Sequence, residues 1–167
     1  MWLVIDGYNL AYEVGWLTPR SRGPGALERA RQRLLSFLAH SLDEDAATKT
    51  TVVFDAKQSP PGSVSRSQPN GIKVLFAENH EDADALIEEL IRQSGTPKKL
   101  TVVSSDLRIV TAAKRRKARS LTSAQWYKQT IQQRKQRQAQ TQERDLAKQD
   151  PSTASDEERD YWLKKFS

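Results

Sequence analysis

The chain reads as an α/β protein built on a mainly parallel sheet, and three short stretches carry that prediction. Trp2, Leu3, Val4 and Ile5 run into Asp6 and Gly7; Thr51, Val52, Val53 and Phe54 run into Asp55; Leu100, Thr101, Val102 and Val103 run through Ser104 and Ser105 into Asp106. Unbroken apolar runs rich in β-branched residues mark strands buried on both faces, as in a parallel sheet covered by helices. Parallel strands share one carboxyl edge, and open α/β sheets place their sites at that edge. Three carboxylates are therefore expected to converge.

The first strand ends at Gly7, where the backbone turns out of the sheet. The loop that follows holds Pro19, Gly23, Pro24 and Gly25 and carries Arg20 and Arg22 beside the expected acidic edge. Two readings stay open for these arginines: they hold phosphates, or they belong to a solvated loop. Leu27, Ala30, Leu34, Phe37, Leu38 and Leu42 recur at helical spacing and predict a crossover helix from Ala26 to about Leu42, with arginines on its other face. Residues 57–71, with three prolines, two glycines and four serines, predict a long loop. A short strand is expected over 72–76.

The next helix has Ala83, Leu86, Ile87, Leu90 and Ile91 as its apolar face and stops at Gly95 and Pro97. Asn79 is the expected N-cap, and Asp82 suits the positive end of the helix dipole. Asp84 lies between the two apolar rows, where its carboxylate points along the sheet edge as a fourth acid. Ile109, Val110, Ala112 and Ala113 predict a short helix, and 118–121 a last edge strand. Periodicity returns with Trp126, Tyr127 and Ile131, but residues 132–149 are almost wholly Gln, Lys, Arg, Ala and Glu, which predicts a protruding helix without an apolar face. Asp150 and Pro151 break it. Ser155 and Glu158 then form a capping box for a short helix bearing Tyr161, Trp162, Leu163 and Phe166, which docks on its own domain or on a partner.

Composition narrows the chemistry. A chain of 167 residues fits one domain with length to spare. Cysteine is absent, which excludes a disulfide frame and a thiolate zinc site. With no basic segment ahead of an apolar leader and no run approaching the ~20 apolar residues of a membrane span, a cytoplasmic protein without membrane attachment is expected. The net charge of +6 is unevenly spread: residues 107–149 carry 12 Lys and Arg against Glu143 and Asp145, a net of +10, which leaves −4 for the rest. An acidic sheet edge joined to a basic C-terminal stretch points to a polyanionic partner, nucleic acid first and an anionic membrane surface second.

Carboxylates gathered at one edge repel by about 4 kcal/mol per pair at 4 Å and an effective dielectric of 20. With no cysteine and only His40 and His80, the suitable counterion is a hard divalent cation with oxygen ligands, Mg²⁺ or Mn²⁺ rather than zinc. Such an ion activates a bound water for attack on a phosphodiester. An aspartyl-phosphate phosphatase would need a second Asp where Tyr8 stands, and neither a P-loop nor a paired-glycine dinucleotide fingerprint is present.

The set Asp6, Gly7, Tyr8, Asn9; Val52 to Ala56 around Asp55; Ala83 to Glu88 around Asp84; and Ser104, Ser105, Asp106 resembles, in this order, the YacP-like NYN domains of the PIN nuclease superfamily. The resemblance spans about residues 1–128. It implies a three-layer α/β/α PIN-like sandwich around a mainly parallel sheet, divalent-metal dependence, and endoribonuclease activity linked to mRNA turnover at the ribosome, on RNA that is single-stranded. Carried over residue by residue, it assigns the catalytic and metal-binding acids to Asp6, Asp55, Asp84 and Asp106, with Asn9 orienting them. Residues 129–167 then form a polar, basic helical C-terminal extension. Val110 stands where family members tend to have Gln, and Lys114, Arg115, Arg116 and Lys117 where they tend to have a glycine-rich turn. That run, with Arg119, is expected to bind RNA electrostatically just past the strand that ends at Asp106. An inactive PIN-like RNA-binding adaptor is the alternative function, and RNA is not separable from DNA by any short motif here.

Overall fold

The computed structural model describes residues 1–21, 25–56, 66–67 and 70–149. Its elements run β1 (Trp2–Asp6), α1 (Gly7–Glu13), α2 (Ala26–Ser41), α3 (Glu44–Thr48), β2 (Thr50–Phe54), β3 (Arg66–Ser67), β4 (Lys73–Phe76), α4 (Ala83–Gln93), β5 (Leu100–Val103), α5 (Leu107–Arg115), β6 (Arg119–Leu121) and α6 (Ser123–Gln149). One sheet contains all six strands in the order β3-β4-β2-β1-β5-β6. Five are parallel, and β3 adds two antiparallel residues at the edge. The chain divides into two units, Met1–Gln129 and Thr130–Ser167.

Strand alternation sorts the apolar residues onto two faces. Ile5, Val52, Phe54, Val74 and Val103 join Leu10, Leu34, Leu38 and Trp126 in one buried cluster. Val4, Val53, Leu75 and Val102 join Ile87, Ile91, Ile109 and Ala113 in the other. The first face is thus covered by α1, α2 and the start of α6, the second by α4 and α5, which makes the three-layer α/β/α sandwich that the sequence predicts. No described helix is long and apolar enough to cross a membrane.

The chain order explains where a site must lie. From β1 the chain moves outward to β2 and β4, then α4 carries it back across the sheet to β5 on the other side of β1. The order therefore reverses between β1 and β5, and the crevice outside their carboxyl ends is where such sheets bind ligands.

Several local expectations are revised. Gly7 opens a further helix, α1, capped by the Asp6 carboxylate, which accepts from Asn9 N at 3.2 Å. Asp82 and not Asn79 is the N-cap of α4, accepting from Ala85 N at 2.7 Å. Within the stretch expected to be one loop, β3 pairs with the free edge of β4. Arg31 of α2, expected on the solvent face, is buried, and its guanidinium donates to the Tyr8 hydroxyl at 2.6 Å. The polar segment 132–149 is helical as expected and belongs to α6. Arg22 and the segment bearing Tyr161, Trp162, Leu163 and Phe166 lie outside the described residues.

Gly7 is required for space. A Cβ there would stand 2.2 Å from Cε1 of Phe54, a ring that is fully buried in the sheet. Gly7→Ala should cost about 1–3 kcal/mol through overpacking, read as a lowered denaturation midpoint with an unchanged slope.

Candidate active site

Asp6 is the last residue of the central strand and is buried. Each carboxylate oxygen has a partner: Oδ1 accepts from Asn9 N at 3.2 Å, and Oδ2 accepts from Ser104 Oγ at 3.0 Å. The neighbouring strand supplies that serine because Ile5 is in register with Val103, which places the next residues, Asp6 and Ser104, side by side. Ser104 Oγ also accepts from Asp106 N at 3.1 Å, and Asp106 caps α5 through Arg108 N at 2.7 Å. One hydroxyl thus ties the first acid to the last.

Burial pushes the Asp6 carboxyl up from 3.8 to about 6, against the two hydrogen bonds, and the charges of Asp84 and Asp106 push it further the same way. Asp84 is half-buried and is raised first by desolvation, then by Asp106 and Asp82, with Arg108 opposing. Asp6, Asp84 and Asp106 therefore share one electrostatic field at the switch point. The charge of Asp55 acts on the Tyr8 phenol, which burial raises and Arg31 lowers. Asp55 follows the carboxyl end of β2, the strand beside β1, and so stands at the same edge of the sheet as Asp6.

Asn9 works as a fastener. Its Oδ1 accepts from Ser105 N at 2.9 Å and from Ser123 Oγ at 2.7 Å, so the β1–α1 corner, the β5–α5 corner and the start of α6 meet at one amide. Arg108 joins the helices on the other side: it pairs with Asp82 at 3.2 Å and with Glu88 at 2.8 Å, linking α5 to the first turns of α4, where Asp84 sits. Ser104, Ser123 and Arg108 were not legible as site residues. Ser104 and Ser105 precede Asp106 in sequence, but nothing local marks Ser123, 17 positions later than Asp106.

The basic residues are placed otherwise than the sequence suggests. Because α5 runs back from Asp106, its far end lies about 12 Å away by helical rise, at the amino edge of the sheet. Lys114, Arg115, Arg116 and Lys117 are there, and Arg119 opens β6 beside Thr101. The run follows the acidic strand in sequence yet occupies the opposite edge. Arg116 is also committed: its guanidinium donates to Arg92 O at 3.3 Å and Ser94 O at 3.2 Å. Arg20 is exposed on the segment after α1.

The donor set at the carboxyl edge consists of oxygens alone, which suits a hard cation. Among the described residues no three His, Cys, Asp or Glu side chains close into a metal cage. An ion that keeps several waters and takes one or two carboxylates directly fits this looser arrangement, as Mg²⁺ does. Asp6, Asp55, Asp84 and Asp106, the acids at this edge, are the residues that would hold it.

A parallel α/β/α sandwich with carboxylates at its switch point is the architecture of a PIN-like nuclease domain. The chain belongs to the YacP-like NYN domain family, which it matches over residues 3–166. The crystal structure of Rae1 (YacP) from Bacillus subtilis is similar, with a TM-score of 0.63 at 21% identity over 99% of this chain and 92% of that one. A point mutant of the same protein gives a TM-score of 0.59 at 20% identity, covering 89% of this chain and 85% of that one. At that identity the likeness shows the fold. No curated protein matches the chain in sequence.

The raised Asp6 carboxyl fixes the sign of a pH effect. Unfolded, Asp6 ionises near 3.8; folded, near 6. Between these values the folded state holds the extra proton, so its stabilising contribution is complete at low pH and is lost as pH rises through about 6. At 1.36 kcal/mol per pH unit the loss is at most about 3 kcal/mol. In chelator at pH 7–8, Asp6→Asn, which keeps the helix cap, should therefore be more stable than wild type by about 1–3 kcal/mol, measured by urea unfolding, and the gain should vanish near pH 4.

Proposed function

We propose that the protein is a divalent-metal-dependent endoribonuclease that hydrolyses phosphodiester bonds of single-stranded RNA, mRNA foremost, in the cytoplasm. The observation that carries this reading is the convergence of Asp6, Asp84 and Asp106, from three separate elements, on the crevice between β1 and β5. A buried carboxylate that desolvation and two like charges hold near neutrality is poorly tolerated without a cation. Bound Mg²⁺ or Mn²⁺ supplies an activated water and neutralises charge developing on the phosphate. Asp6 anchors from the sheet; Asp84 and Asp106 face it from the helix starts. Asn9 and Ser104 keep the three in register. Asp55, at the end of the neighbouring strand β2, completes the acidic set. Membership of a PIN-like nuclease family supports hydrolysis over other acid chemistry, and engagement of mRNA at the ribosome is the setting proposed for it.

One observation favours the second reading, an inactive RNA-binding adaptor: the carboxylates form no closed cage among the described residues. Metal titration separates the two. The nuclease binds Mn²⁺ at millimolar concentration or below, with an affinity that rises as pH passes 6 and Asp6 loses its proton; the adaptor binds none.

Purified protein should cleave single-stranded RNA in Mn²⁺ and stop when chelator is added. Since losing a group that merely supports a metal ligand costs about 10–100-fold, Asp6→Asn should lower the cleavage rate by at least about 100-fold. Equal cleavage by wild type and variant would overturn the assignment.

A further inference from the structure

We propose that the amino edge of the sheet, on the side covered by α4 and α5, is a second nucleic-acid surface, which grips an RNA phosphate backbone on the edge opposite the acids. This rests on RNA being the substrate class, as proposed above, but not on the chemistry of the acids.

On the side covered by α4 and α5 the charges separate by edge; Asp43, Glu44 and Asp45, before β2, put acids at the amino edge of the other side. Six acids, Glu78, Glu81, Asp82, Asp84, Glu88 and Glu89, fall in the approach to α4 and its first turns, near the carboxyl edge. No acid occurs in residues 92–103 or 107–142. At the amino edge Lys98, Lys99, Lys114, Arg115, Lys117 and Arg119 are all exposed, and none of them forms an ion pair among the described residues. They are contiguous: the 3-10 turn Pro97–Lys99 and α5 both pack against β6, and Arg116 ties the end of α5 to the end of α4. A surface that only keeps a protein soluble intersperses its signs; this one does not.

Helix ends account for part of the pattern. Cations favour the negative end of a helix, and α4 and α5 both finish here, which explains Arg116 and suits Lys114 and Arg115. Lys98, Lys99, Lys117 and Arg119 lie beyond the helices and are left over. Lys117 is the telling one. It is the one described non-glycine residue with positive φ, at 59°, and it follows the last turn of α5 where Ala118 N closes onto Ala113 O at 2.9 Å. Glycine is the usual occupant of that left-handed position because any side chain there is strained. The chain keeps a lysine. Trp2, half-exposed at 51%, stands at the same edge in a groove of about 380 Å³ with Leu90 and Thr96, and gives a base a ring to stack on.

Without metal the acidic edge repels phosphate, so binding in chelator is read without the acids, and the share of the amino edge is the difference between wild type and the variants that remove its lysines. The test uses a 20-nucleotide RNA hairpin in EDTA, titrated at about 50 and 200 mM salt, against wild type, Asp6→Asn, Lys117→Gly, and Lys98→Ala/Lys99→Ala/Lys114→Ala/Lys117→Gly. Wild type and Asp6→Asn should bind alike. The quadruple variant should bind at least tenfold more weakly at the lower salt, and its log–log salt slope should be flatter by about 3, at about 0.7–0.9 for each phosphate no longer neutralised. Lys117→Gly alone should raise the melting temperature while weakening RNA binding, a combination that a structural lysine does not produce. Equal affinity and slope in all four proteins would overturn the proposal, as would binding to phosphatidylserine vesicles with none to RNA. If Asp6→Asn still cleaved RNA, the nuclease assignment would fall and the binding result would stand.

Discussion

Burying the Asp6 carboxylate at the end of the central strand is the constraint to which the surrounding structure answers. A carboxylate out of water needs every lone pair directed at a donor, and the donors come from two directions: the Asn9 amide of the helix that Asp6 itself caps, and the Ser104 hydroxyl of the next strand. Gly7 must lack a side chain so that this helix can start against Phe54. Ser104 must sit opposite Asp6, which the register between β1 and β5 ensures. Even so satisfied, the carboxyl is pushed up to about 6 by burial and its acidic neighbours. The residual energetic cost stays at the site, where a bound cation would relieve it under the function proposed above.

The same corner organises the rest of the domain through Asn9. Its single carbonyl oxygen receives donors from the β5–α5 turn and from the first residue of α6. The start of the long basic helix is therefore fixed by the side chain of the same residue whose backbone N–H steadies Asp6. On the far side Arg108 does comparable service between α4 and α5, countering the repulsion between Asp84 and Asp106 while drawing Asp82 and Glu88 inward. A site of like charges is held together here by hydrogen bonds from neutral groups and one guanidinium.

Charge is segregated by the direction of the chain. Every helix after a parallel strand carries the chain from the carboxyl edge back to the amino edge, so acids at helix starts and bases at helix ends collect on opposite rims. Residues 82–93 and 106–117 both follow this gradient from acid to base. It agrees with the helix dipoles, and on the side covered by α4 and α5 it leaves an acidic carboxyl rim and a basic amino rim.

The sequence by itself determined the sheet, because the buried strands of a parallel sheet are written as apolar runs and the covering helices as periodic ones. It also determined that Asp6 and Asp106 follow buried strands and that Asp84 opens a helix, since each follows or breaks its local pattern; that the two strands are neighbours came from the fold. Tertiary structure alone decided what those acids touch. Ser105 and Ser123 meet Asn9 across sequence separations of 96 and 114 residues, and no local pattern encodes such a meeting. Topology decided that residues 114–117, eight places and more beyond Asp106 in the chain, stand at the other edge, because a helix of that length spans the sheet. It decided too that Arg31 turns inward to Tyr8: periodicity ranks faces by hydrophobicity, and a buried arginine with a hydroxyl to bond breaks that ranking only when the partner is seen.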